Sequence, residues 1–181
     1  STTDSREGIT QMRKFLTIFL VLFFLIIISN PTYVHAATLY EYYNTNDDSE
    51  CTVFSQEWRG QTFTVGAIGH TITSVKLKLY RFGNVPGDFV ASIRATSGGL
   101  PTGSDLTSGS MLANSISTSA TWYTITMTEY TLSANTMYAI ACRAPNGDVS
   151  NFICLRNDVT SPTYTGGGQV YSGNWGSSWS D

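Results

Sequence analysis

Thr71-Ile72-Thr73-Ser74-Val75-Lys76-Leu77-Lys78-Leu79-Tyr80 decides the fold class of this chain. Val75, Leu77 and Leu79 alternate with Lys76, Lys78 and Tyr80, and a period of two sends one set of side chains to a core and the other to water. That is the pattern of a half-buried strand in an antiparallel sheet. Weaker runs of the same kind lie on either side: Leu39 to Tyr43, Thr52 to Ser55 and Gln61 to Val65 before it, and Phe89 to Ala95, Trp122 to Met127, Met137 to Arg143, Asn151 to Leu155 and Gln169 to Tyr171 after it. Thr, Val, Ile, Tyr and Phe fill these runs, and such residues suit a pleated, half-buried surface.

The punctuation agrees. Gly83-Asn84-Val85-Pro86-Gly87-Asp88, Ser97-Gly98-Gly99-Leu100-Pro101-Thr102-Gly103, Asn146-Gly147-Asp148 and Gly166-Gly167-Gly168 combine residues that tolerate positive φ or preset a turn. The Ser- and Thr-rich stretch from Thr107 to Thr121 reads as a long connection between sheets, with a short strand near Met111-Leu112. No window after Ala37 carries the i, i+3, i+4, i+7 apolar spacing of an amphipathic helix. Eight or nine short strands with frequent turns predict an all-β fold, an antiparallel β-sandwich of jelly-roll-like type.

The N-terminal segment has a different character. Met12-Arg13-Lys14 precedes Phe15 to Ile28, apolar throughout except for Thr17, and Val34-His35-Ala36 follows as a small-residue cleavage site. A basic start, a short apolar core and an A-x-A-like end predict a signal helix over residues 12–36, cleaved after Ala36. Fourteen helical residues rise about 21 Å, short of the ~30 Å hydrocarbon core, which disfavours a permanent membrane span. Residues 1–11 precede Met12, read as the initiator, and form an upstream segment. The expected domain is then 37–181, 145 residues, an ordinary size for one unit.

Charge and histidine content exclude several functions. Seven basic and eleven acidic residues remain after Ala36, a balance of −4, and Arg59, Lys76, Lys78, Arg81, Arg94, Arg143 and Arg156 are scattered along the domain. A phosphate-tracking surface needs clustered cations, so no nucleic-acid partner is expected. His70 is the only histidine after Ala36, which removes His-based zinc sites. No G-x-S-x-G elbow accompanies it, and no catalytic residue is assigned. Asp47-Asp48-Ser49-Glu50 offers oxygens of the kind a structural Ca²⁺ takes, without the D-x-D-x-D-G loop; no other cofactor is implied.

Cys51, Cys142 and Cys154 belong to the domain. A β-hairpin centred on Asp148 sets Cys142 opposite Cys154, and cross-strand neighbours have Cβ atoms about 4.5–5.5 Å apart. A disulfide between Cys142 and Cys154 is the expectation, and two small buried hydrophobes are the alternative. Cys51 has no partner in this reading.

Tyr164, Tyr171, Trp175 and Trp179 stand among glycines and serines in the tail and are the candidate ligand-binding residues. A flat ring takes the apolar face of a sugar, and nearby amides and carboxylates take its hydroxyls. Aromatics among Ser, Gly and Asn equally suit protein contacts. Trp122, within a strand, is expected in the core; for Trp175 and Trp179 core and surface stay open. Eleven carboxylates follow Ala36. A glycosidase would need two of them facing across a cleft.

Gln61-Thr62-Phe63-Thr64-Val65, Thr71 to Leu79, Ser92-Ile93-Arg94, Pro101-Thr102-Gly103 and Leu132-Ser133-Ala134-Asn135-Thr136-Met137-Tyr138-Ala139-Ile140 resemble the choice-of-anchor type of extracellular jelly-roll domain, over residues 54–181. Related repeats occur in exported bacterial and archaeal proteins and in phage or virus structural proteins. The shared elements are structural, so the resemblance implies a fold and an exported setting without a catalytic residue. It also implies a further strand after Trp179, so that the domain is expected to lack its last strand and a following anchor. The expectation is a secreted or cell-surface, non-enzymatic module for adhesion or carbohydrate binding. Its partner would be a glycan or an extracellular protein, and a membrane would be met only through the signal segment or a missing anchor. The alternative is a structural subunit or spacer of an extracellular appendage, surface layer or virion.

Overall fold

The alternation of Val75, Leu77 and Leu79 with Lys76, Lys78 and Tyr80 builds a thirteen-residue strand, His70–Phe82, with Val75 and Leu79 buried and Lys76 exposed. It is the third of nine strands in a computed structural model that describes residues 38–181; the expected signal helix 12–36 and segment 1–11 lie outside the described residues. In chain order the strands are β1 (Ser49–Val53), β2 (Trp58–Thr64), β3 (His70–Phe82), β4 (Asp88–Ser97), β5 (Leu100–Leu112), β6 (Thr121–Leu132), β7 (Met137–Arg143), β8 (Phe152–Asn157) and β9 (Gln169–Ser172), with a single 3-10 turn at Ala113–Ser115.

The strands form two antiparallel sheets, β1-β8-β3-β6 and β5-β4-β7-β2-β9. Pairing is nested: β1 with β8, β2 with β7, β3 with β6 and β4 with β5, while β9 adds to the free edge of β2. Side chains from both sheets share one core, with Leu79, Ile125, Ile153 and Val53 from the four-stranded sheet against Phe63, Phe89, Ile93 and Cys142 from the other. The protein is therefore an all-β sandwich. Burial of each large apolar side chain there contributes about 1.5–3 kcal/mol, and this gain drives the faces together.

Three expectations change. Leu39–Tyr43 forms no strand, because Tyr40 stacks on His70 with centroids 3.8 Å apart and Tyr43 packs against Tyr164 at 6.1 Å. Leu100–Leu112 is one continuous strand where a turn and a connection were expected. Gly98 and Gly99, with φ of 58° and 83°, close a tight hairpin from β4, and the register shifts at Arg94 let β5 stay paired despite its Ser and Gly content. Trp122 lies not in the core but on the outer face of β6, opposite Lys78, 41% exposed, with Lys76 over its ring.

The disulfide is also corrected: all three cysteines are free. β7 and β8 do not form the assumed hairpin, because the chain crosses from one sheet to the other between them. Cys142 faces the core beside Ala91, whereas Cys154 pairs with Thr52 and Tyr80 on the face away from Ile153. Thiols on different sheets and on different faces cannot meet.

Candidate functional site

The sandwich is stitched shut along one side and open along the other. At the β5–β6 side the Thr107 hydroxyl donates to the Thr128 carbonyl, and Gly109 lies so near the Thr126 carbonyl that a Cβ would overlap it. On the opposite side the edge strands β1 and β9 leave a groove of about 420 Å³, lined by Glu50, Cys51 and Thr52 from one sheet and Arg59, Gln169 and Tyr171 from the other.

Register sets these side chains. Arg59 is paired with Tyr171 and Gln61 with Gln169, so both rows project to the same side of the β2–β9 ribbon, away from the row of Trp58, Gly60, Val170 and Ser172. The Arg59 guanidinium lies 5.5 Å from the Tyr171 ring centroid, within cation–π range, and 3.6 Å from Glu57. Tyr171 is 48% exposed, leaving part of its ring to solvent. Glu50 is held by Arg156. Gln169 accepts from the Asn157 amide at 2.9 Å, which leaves its own amide N–H groups to the groove, while the buried Oδ1 of Asn157 has no partner. Burial pushes the Cys51 thiol up to about 11, so it remains an unreactive wall at neutral pH.

The four aromatic candidates do not converge. Tyr171 lines the groove, and Trp175 is half exposed, its amide donating to the Gln56 carbonyl at 3.2 Å. Tyr164 packs against the main core, where burial raises its hydroxyl pKa. Trp179 is buried on the outer face of the five-stranded sheet in a second small core with Trp58, Ala141 and Val170. There the tail folds back over Trp58, and Ser180 pairs with Tyr171 through two backbone hydrogen bonds.

That outer face carries a charge network of its own. Asp105 accepts from Arg94 at 2.8 Å and from Arg143 at 2.7 Å, and both guanidiniums lie over Trp58, at 5.2 and 4.9 Å from its centroid. Burial raises the Asp105 carboxyl pKa, but the hydrogen bonds from the two arginines outweigh it and hold the group below the ordinary carboxylate range. Arg94 also donates to the Gly176 carbonyl, which fastens the tail.

Other candidates are occupied by neighbours. His70 sits 3.2 Å from Glu41 beneath the Tyr40 ring. Of the acidic run 47–50, Asp47 is paired with Lys78 and Arg156, and Asp48 accepts from the Val159 amide. Thr52, Arg59 and Gln169 were not singled out as ligand-binding from the sequence, and Glu50 only as a source of oxygen for Ca²⁺. No spacing signal points to groups brought together from distant strands.

The architecture and groove define the class: an antiparallel β-sandwich with a polar cleft between its sheet edges. No protein-family model, curated protein sequence or solved structure matches the chain.

Proposed function

We propose that this chain is a secreted or surface-displayed, non-enzymatic adhesion module of jelly-roll topology that binds carbohydrate in the groove between β1 and β9. The nested pairing of β1 to β8, β2 to β7, β3 to β6 and β4 to β5 supports the topology, and jelly rolls are common in lectin and capsid domains. One observation carries the ligand class. A half-exposed Tyr171 ring stands beside Arg59, Gln169, Thr52 and Glu50, a flat apolar surface ringed by hydroxyl-binding groups. The Glu50 carboxylate of the groove is paired with Arg156 and Glu57 beside it with Arg59, so neither stands free as a glycosidase acid or base, and this favours binding over hydrolysis. The export signal read at residues 12–36 and the resemblance to choice-of-anchor domains support the extracellular setting. A glycan-array screen of the chain beside Tyr171→Ala tests the reading: binding lost in the variant supports it, and no binding, or equal binding by both, overturns it.

A second reading, a structural subunit, is favoured by an exposed aromatic stack: Phe82 and Phe152 lie 5.1 Å apart and nearly parallel, Phe82 being 57% exposed. Self-association that rises with concentration and is lost in Phe82→Ser would favour it.

A further inference from the structure

Trp175 occupies a backbone conformation that its side chain does not explain. Among the described residues four non-glycine positions have left-handed φ, namely Asn46, Ser55, Asn135 and Trp175, and of these Trp175 at 64° is the one with a bulky side chain. Asparagine tolerates this region, whereas a large residue there is an outlier. The adjoining Gly176, also left-handed at 74°, has a packing reason: a Cβ would come within 2.5 Å of the Trp58 ring. Trp175 has none. Its indole is half exposed, belongs to neither buried cluster and, among the described residues, has no ring or cation stacked on it. A residue that strains the chain without serving the core points to a use at the surface.

Its position suggests which use. The Trp175 amide is tied to Gln56, the residue beside Glu57; Glu57 pairs with Arg59, and Arg59 lies over Tyr171. Gly173 keeps the step between them low, since a Cβ there would sit 3.3 Å from the Glu57 carboxylate. The Trp175 backbone thus lies next to the Glu57 segment, and Glu57 and Arg59 connect it to the Tyr171 end of the groove.

We infer that Trp175 is a second aromatic platform of the same site, and that the ligand is an oligosaccharide chain reaching from the groove to Trp175, not a single terminal sugar. Tyr171 stacks one ring, Trp175 stacks another further along, and Glu57 and Arg59 take hydroxyls between them. This rests on the carbohydrate reading of the groove.

The test is calorimetric titration of the full chain with cello-, chito-, malto- and manno-oligosaccharides, from single sugars to hexasaccharides. Wild-type affinity is expected to rise with length, and the ratio of hexasaccharide to disaccharide affinity to fall about three- to tenfold in Trp175→Ala and Trp175→Gly, the worth of one aromatic stack. Trp175→Gly also relieves the left-handed strain, so its Tm is expected to equal or exceed that of the wild type. Binding that does not depend on length, or a length dependence that survives both variants, overturns the inference while the groove reading stands. A large drop in Tm for Trp175→Gly overturns it too, by showing that the indole serves the fold. Absence of binding by every oligosaccharide overturns the carbohydrate reading itself.

Discussion

Trp58 and Trp179 meet edge to face, ring centroids 6.4 Å apart with planes at 68°, and this contact pins the tail to the outer face of the five-stranded sheet. Trp179 is 8% exposed, and its indole N–H donates to the Gly176 carbonyl. Trp179→Ala should destabilise the fold by about 3–5 kcal/mol, as for a buried aromatic truncated to alanine. Urea denaturation checks this, and a loss below about 1 kcal/mol would show that the tail is not part of the folded unit.

Acid should weaken the same face through Asp105. Its carboxyl titrates below the ordinary value of 3.8 in the folded chain because Arg94 and Arg143 donate to it against the opposing effect of burial. A group whose folded pKa is lowered contributes stability that is full above the unfolded value and lost as pH falls through the folded one. Stability should therefore fall below about pH 3.8. Asp105→Asn should be destabilised at pH 7, by about 1–3 kcal/mol, and should show a shallower decline in acid. Parallel acid profiles of the two proteins would show that Asp105 does not titrate in this window.

The cysteines should behave as thiols. Burial raises the pKa of Cys142 and Cys154 and puts Cys51 at about 11, so all three are protonated at neutral pH. Alkylation with iodoacetamide should leave the native chain unmodified at Cys142 and Cys154 and label all three residues in urea. Reductant should leave Tm unchanged, and a disulfide mapped to Cys142 and Cys154 by peptide mass spectrometry would contradict the crossing of β7 and β8 between sheets.

Gly109 should be intolerant of any side chain. A Cβ there would overlap the Thr126 carbonyl, and because the obstruction is backbone it cannot swing aside. Gly109→Ala should open the stitched β5–β6 side at a cost of about 1–3 kcal/mol, the usual range for overpacking. Thermal melts of Gly109→Ala and of Gly98→Ala, where nothing lies within 4 Å, separate crowding from strain, since Gly98 has positive φ and Gly109 does not.

Strands read well where burial alone determines the pattern. β3 and β4 were legible because their apolar positions alternate toward one core, and β7 and β8 because β-branched and small apolar residues fill them even where both faces are buried. β5 escaped notice because its Ser, Gly and Thr residues are selected for close backbone approach at an edge, which carries no hydrophobic signal. Leu39–Tyr43 misled for the opposite reason: Tyr40 and Tyr43 dock on His70 and Tyr164 through their rings, without a ladder.

By itself the sequence determined that the domain is all-β, that its cations are spread along the chain, and where most strands begin. These follow from local periodicity and composition, which each segment carries without its partners. Only tertiary structure decided which sheet each strand joins, and hence that Cys142 and Cys154 stay apart, that Trp179 is buried while Trp122 is exposed, and that Glu50 and Arg59 line one groove with Tyr171. Sheet membership depends on long-range pairing and on where the chain crosses between layers. A period of two says which side chains turn inward, but not which neighbour they meet.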